Sequence, residues 1–295
     1  MEQTISDLIK RDAALTESAL EGYLAESEKR IPVIFDAMRY SVLGGGKRVR
    51  PFLAIEFCRL AGGDVENVIP FACGLEMIHS YSLVHDDLPC MDNDDLRRGK
   101  PTTHKKYGFA NALLAGDALL TYAFEVAVSG NNPDAQKAEA VRVLAHNAGA
   151  YGMCGGQQID LYAETHKIDF EDLKYLHLLK TGALISSACE LGCIAAGVNS
   201  GDPLYTAALE YASAIGVTFQ IVDDILDVTS DEKTLGKPIG SDAEQGKTTY
   251  LSFMSIDQAK KRAEELTEKA ISAIRPFDGS EALCGFAEYL CSRER

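Results

Sequence analysis

Two short runs of aspartate stand out in the chain. The first is Asp86-Asp87-Leu88-Pro89-Cys90-Met91-Asp92 and the second is Asp223-Asp224-Ile225-Leu226-Asp227. Each follows a strongly apolar stretch, SYSLVHDD and GVTFQIVDDILD, where a solvated helix face would mix its acids with Lys and Arg. On a helix, Asp223 and Asp227 lie one turn apart on a shared face. Asp224 lies about 100° around the axis. Like charges at that spacing repel by roughly a few tenths of a kcal/mol or more, and a cation between them removes the repulsion. Hard oxygen ligands with room left for water and phosphate are what Mg²⁺ prefers. Asp86 and Asp92 would point about 120° apart on one straight helix. Pro89 breaks such a helix, which allows the chain to curl Asp92 back towards Asp86.

Other readings of these acids fit poorly. A calcium loop needs ligands at alternate positions followed by Gly, and Asp92-Asn93-Asp94-Asp95-Leu96-Arg97 breaks that pattern. Between Gly240 and Gly246-Lys247-Thr248 there is one residue too many for a Walker A loop, and Asp242 and Glu244 are among them. The chain has no H-E-x-x-H and no C-x-x-C pair.

Cations accompany the acids. Gly44-Gly45-Gly46 leads into Lys47-Arg48-Val49-Arg50-Pro51, which places positive charge at a helix start. There it opposes the helix dipole unless an anion is bound. Arg97 and Arg98 follow the first aspartate cluster, and Lys237 and Lys247 follow the second. Arg suits bidentate recognition of a diphosphate. Carboxylates for metal, cations for phosphate and apolar helices around both suit a ligand with a diphosphate head and a hydrocarbon tail.

Helices must position these residues. Helical periodicity predicts segments at about 3–27, 30–43, 49–61, 65–88, 108–129, 134–153, 170–198, 202–230 and 256–275, with a short one near 280–292. Ser255 and Gln258 resemble a capping box for the 256–275 helix. Strand-like alternation is hard to find. No linker, short repeat or low-complexity tract divides the chain, so residues 1–295 read as a single all-α domain. The many small residues in LLAGDALLTYAFEVAVSG and LISSACELGCIAAG read as close helix packing.

The 295 residues are 46% hydrophobic and 25% charged, an ordinary globular balance. A net charge of −15 argues against a nucleic-acid partner. Eight irregularly spaced cysteines read as free, mostly buried thiols in a reducing compartment. The N-terminus MEQTISDLIKRD lacks a signal-peptide core, and no apolar run is expected to reach the ~20 residues of a membrane span. A cytoplasmic protein is therefore expected.

With these residues in view, the sequence resembles the trans-prenyl diphosphate synthases, and most of all the bacterial farnesyl diphosphate synthases. The resemblance runs from about residue 40 to 255 through GGGKRVRP, HSYSLVHDDLPCMDNDDLRRGKPTTH, AGDALL, GGQQIDL, KTGALI, FQIVDDILD, LGKPIGSD and QGKTTY, in the family's order. It implies an all-α bundle of about ten or more helices around a large central cavity, usually a homodimer, using Mg²⁺, commonly three ions. Asp86, Asp87 and Asp92 match the family's first metal-binding motif, and Asp223, Asp224 and Asp227 the second. Arg97, Lys180, Lys237 and Lys247 match cations that hold the allylic diphosphate. Lys47, Arg50, His79 and Arg98 match the isopentenyl diphosphate site, although His79 alone would read as a core histidine. Thr181 and Gln220 match polar groups facing a carbocation.

The resemblance further implies ionisation of dimethylallyl or geranyl diphosphate, attack by isopentenyl diphosphate and loss of a proton to the released diphosphate. Tyr81, with the small Ser82 beside it, matches the chain-length floor, and a large ring there goes with the fifteen-carbon farnesyl product. A geranylgeranyl or geranyl diphosphate synthase is the nearest alternative. A terpene cyclase would leave the Lys47/Arg50 site unexplained, and a non-catalytic subunit would typically have lost an aspartate motif.

Overall fold

The computed structural model describes residues 4–25, 30–229 and 247–293. The described chain is almost wholly helical. In order it forms α1 (Ile5–Tyr23), α2 (Pro32–Val42), α3 (Val49–Leu60) and α4 (Val65–Asp86). A two-stranded hairpin follows, β1 (Leu96–Arg97) with β2 (Lys100–Pro101), then α5 (Thr103–Tyr107), α6 (Phe109–Val128), α7 (Asp134–Ala148) and α8 (Met153–Ala163). Next come α9 (Phe170–His177), a π-helical turn (Leu178–Gly182), α10 (Ala183–Ala195) and α11 (Pro203–Thr229). A 3₁₀ turn (Tyr250–Ser252), α12 (Ile256–Ile274) and α13 (Glu281–Ser292) complete it.

The centre of the bundle is α10, in which every residue from Ala183 to Ala195 but Ser186 is buried. A helix apolar all round must be enclosed, and α3, α4, α7 and α11 pack around it. The small residues do allow close contact: a Cβ on Gly192 would lie 2.4 Å from the Ala54 carbonyl oxygen of α3. On the outside, α12 buries Ala259, Ala263, Leu266, Ala270 and Ile274 at helical spacing and turns its Lys and Glu to water. Ser255 and Gln258 form its capping box as expected.

Three expectations need correction. The 134–153 helix stops at Ala148, where its C-cap Gly149 is extended, and the chain then turns through Gly152, which lies so close to Asn147 that a Cβ would come within 2.0 Å of its carbonyl oxygen. A separate helix, α8, begins immediately after. The 170–198 helix is interrupted by the π turn, which sits over Gly156 of α8, where a Cβ would come within 2.2 Å of the Lys180 nitrogen. By length and composition two helical runs are apolar enough to cross a membrane, Phe109–Val128 and Phe170–Ala195. Ala contributes much of their hydropathy, so no obvious run of large residues announces them. The second run is mostly core, whereas α6 leaves Phe109, Leu113, Leu114 and Val128 exposed. Of the eight free cysteines, Cys58, Cys73, Cys189 and Cys193 are buried and Cys90 and Cys154 are exposed.

Candidate active site

The first aspartate cluster forms where α4 ends. Asp86 is its last residue and Asp87 its C-cap, and Pro89 follows in a turn. The chain then doubles back: the Asp92 N–H donates to the Asp86 carbonyl oxygen at 2.8 Å and the Asn93 N–H to that of Leu88 at 3.1 Å. Asn93 takes the left-handed conformation (φ 54°), which Asn tolerates better than most residues. The predicted curl of Asp92 towards Asp86 is therefore present. Burial, with Asp92 nearby, pushes the Asp86 carboxyl up to about 6, against the opposing pull of Lys180.

Asp86 and Asp87 serve different spaces. Asp86 lines a cavity of about 300 Å³ with Arg50, His79, Tyr81, Ser82, Gln157, Lys180 and Thr181 among its walls. Asp87 is buried and bound by Arg97 through Nε and Nη2, at 2.8 and 2.6 Å to Oδ1. These two face a smaller cleft with Arg98. Arg98 and Gly99 both have positive φ, as a two-residue hairpin turn requires. The hairpin returns Arg98 to the glycine loop, where its guanidinium donates to the Gly45 carbonyl oxygen.

The basic segment 47–50 divides in the same way. Lys47 is exposed, while Arg48 is buried in an ion pair with Glu76 at 2.7 Å and donates to the Val42 carbonyl oxygen at 2.6 Å. Arg48 therefore supports the fold. Arg50 faces the cavity, and its enclosed Nε has no hydrogen-bond partner. An N–H left unmade on a buried cation favours an anion there. Burial, reinforced by Arg50 and Arg98, holds His79 neutral, well below its ordinary pKa.

The π turn carries Lys180 and Thr181 out of the helical register into this cavity, and such turns recur at functional sites. Lys180 Nζ lies 2.5 Å from Asp160 Oδ2 on α8. The Gln157 side-chain nitrogen, also on α8, is buried without a partner and lines the cavity. Gln157 and Asp160 sit inside GGQQIDL, where periodicity predicts no helix and so offers no face on which to place them.

The second cluster lies on α11, which packs against the π turn. Asp223 is half-exposed, while Asp224 and Asp227 are buried. Asp224 Oδ2 accepts the Tyr250 N–H at 2.7 Å and so ties down the chain where it returns after residue 246. The Arg293 guanidinium pairs with Asp223 and stacks 4.3 Å over the Phe219 ring, a contact that no sequence signal announced. Gln220 lies beside His177, whose ring stacks on Tyr250 and is held neutral by burial, down to about 4. Lys247 is half-buried at the start of the returning segment. Lys237 and the Gly236–Gly246 loop lie outside the described residues.

Among the described residues no group of three or more His, Cys, Asp or Glu is arranged to hold a metal. Mg²⁺ is commonly held by one or two carboxylates together with substrate phosphates and water. Of the six expected ligands, Asp92 lies near Asp86, while Asp87 is engaged by Arg97, Asp223 by Arg293 and Asp224 by the Tyr250 N–H.

Comparison with known proteins identifies the family. The polyprenyl synthetase family model matches residues 31–280, and the chain belongs to that family. It is 46% identical over 264 residues to a geranylgeranyl diphosphate synthase of Cyanophora paradoxa, covering 88% of this chain and 87% of that one. Among solved structures it resembles an FPP/GFPP synthase from Zymomonas mobilis, with TM-score 0.86 and 36% identity over 98% of this chain and 99% of that one. It also resembles a geranylgeranyl pyrophosphate synthetase from Pyrococcus horikoshii Ot3, with TM-score 0.89 and 32% identity over 98% of both chains. The all-α isoprenoid-synthase fold and the prenyl diphosphate synthase activity follow from this membership.

Proposed function

We propose that the chain elongates an allylic diphosphate with isopentenyl diphosphate to a short-chain product, with Mg²⁺ held by Asp86, Asp92 and Asp223. The observation that carries this reading is the single cavity shared by Asp86, Arg50, Lys180 and apolar walls. Bound Mg²⁺ would supply positive charge to the departing diphosphate. Lys180, steadied by Asp160, adds a fixed cation on the same side. Arg50 offers its unpaired N–H to the second diphosphate. Thr181, on the cavity wall, offers its dipole to the positive charge that develops on the allylic carbon, and Gln220, beside His177 on α11, is assigned the same role. Tyr81, Leu83, Met91 and Met153 line the tail's path and exclude water that would quench that charge. His79 is held neutral, and the proton lost after condensation goes to the released diphosphate.

For product length, the relatives favour geranylgeranyl diphosphate, the alternative of the sequence reading, over farnesyl diphosphate. A specific observation favours the fifteen-carbon reading: the buried Tyr81 ring lines the cavity five residues, about 7.5 Å of helix, before Asp86. Mass analysis of products from dimethylallyl and geranyl diphosphate tests both. A twenty-carbon end product supports the first reading, a fifteen-carbon one the second, and no elongated product contradicts both. The exposed apolar residues of α6, Phe109, Leu113 and Leu114, support a homodimer in which a second copy covers them.

A further inference from the structure

We infer that Cys154 is a positioning residue for product length, acting through Tyr81; this rests on the proposed elongation reaction. The Tyr81 hydroxyl and the Cys154 thiol lie 3.4 Å apart, within hydrogen-bond range for sulfur. Tyr81 projects from α4 and Cys154 from the first turn of α8, and both line the cavity below Asp86. Their contact therefore spans the cavity from one helix to another.

Three features make this more than neighbouring bulk. The Tyr81 ring is held edge-on by His85, one turn along α4, with centroids 5.7 Å apart and planes at 76°. Its hydroxyl is the only polar atom of the ring, and burial keeps it protonated. The position of α8 is set independently of Tyr81, since this helix packs on the π turn, α9 and α7. The thiol is thus a fixed point on the far wall, and the ring is pinned at both ends. A tail growing down the cavity meets a ring that cannot swing aside without breaking the hydroxyl–thiol contact. A free phenyl ring has the same volume but can rotate about its χ angles. Stopping length then depends on the anchor as well as on ring size.

The test compares products of wild type, Tyr81→Phe, Cys154→Ala, Cys154→Ser and the double variant Tyr81→Phe/Cys154→Ala, with circular dichroism confirming that each is folded. The anchor predicts that Tyr81→Phe and Cys154→Ala each raise the share of product one isoprene unit longer than the wild type's. The rise should be about two- to ten-fold, the range that one neutral hydrogen bond controls. Cys154→Ser keeps a hydrogen-bonding atom at that place and should retain the wild-type distribution. The double variant should go no further than either single one, because both remove the same contact. Wild-type distributions in both single variants, or additive effects in the double one, would overturn the inference. The length made by wild type tests the proposed product and leaves this comparison standing, since each variant is read against wild type.

Discussion

Lys180 Nζ lies 2.5 Å from Asp160 Oδ2, with Lys180 on the π turn and Asp160 on α8. Both side chains are largely enclosed, with relative exposures of 26% and 18%. The carboxylate fixes where the ammonium stands and offsets the burial that would otherwise discourage its charge. Asp160→Asn keeps the shape but removes the charge. It should cost about 1.5–3 kcal/mol in kcat/KM for the allylic substrate, the range of a charge-assisted hydrogen bond. Steady-state kinetics with each substrate varied in turn checks this, and an equal effect on isopentenyl diphosphate would count against the assignment.

The two diphosphate sites should separate by mutation. Arg50→Ala and Lys47→Ala should mainly raise KM for isopentenyl diphosphate, by about 10-fold or more if each loses one charge-assisted contact. Lys237→Ala should mainly weaken the allylic substrate. If all three variants affected both substrates alike, the sites would have been divided wrongly.

Away from the site, Glu56 and Asp12 share the guanidinium groups of Arg11 and Arg59. Burial and the neighbouring Asp12 push the Glu56 carboxyl up to about 7, against the pull of Arg59. The folded state then binds the proton more tightly than the unfolded chain, whose carboxyl titrates near 4.5. Stability from this group is therefore complete below about pH 4.5 and is lost as pH rises towards 7. Glu56→Gln removes the dependence. In urea unfolding, wild type should lose about 1–3 kcal/mol relative to the variant between pH 4.5 and 8. A constant difference would show that Glu56 does not titrate in this range.

The apolar face of α6 should hold two copies together. Leu114→Asp puts a charge on a side chain that is 53% exposed in the single chain, so the monomer should still fold. Light scattering should show dimers for wild type and a shift to monomers for the variant. Monomeric wild type would remove the dimer proposal.

Much of this was legible because spacing constrains geometry. Pro89 after Asp86-Asp87 required a break, and the chain does turn Asp92 back there. Ser255 and Gln258 announced a cap that forms. What escaped has physical reasons. Helix formers flank Gly149 and Gly152, so composition hid a break that the backbone makes at these two glycines. The π turn packs its backbone against Gly156 of another helix, which no local pattern reveals. Arg48 and Arg50 look alike in sequence, but only the fold puts Glu76 against one and a cavity beside the other. Arg293 reaches Asp223 from 70 residues away.

Elongation in this reading needs both aspartate clusters at once. The most direct measurement follows diphosphate release and product formation by the purified chain with isopentenyl and geranyl diphosphate in Mg²⁺, beside Asp86→Ala and Asp223→Ala. Wild type should release one diphosphate per isopentenyl unit added, and both variants should lose turnover while keeping their helical circular dichroism. Near-normal turnover in either variant, or diphosphate release by wild type without elongation, would show that the two clusters do not act together in chain elongation.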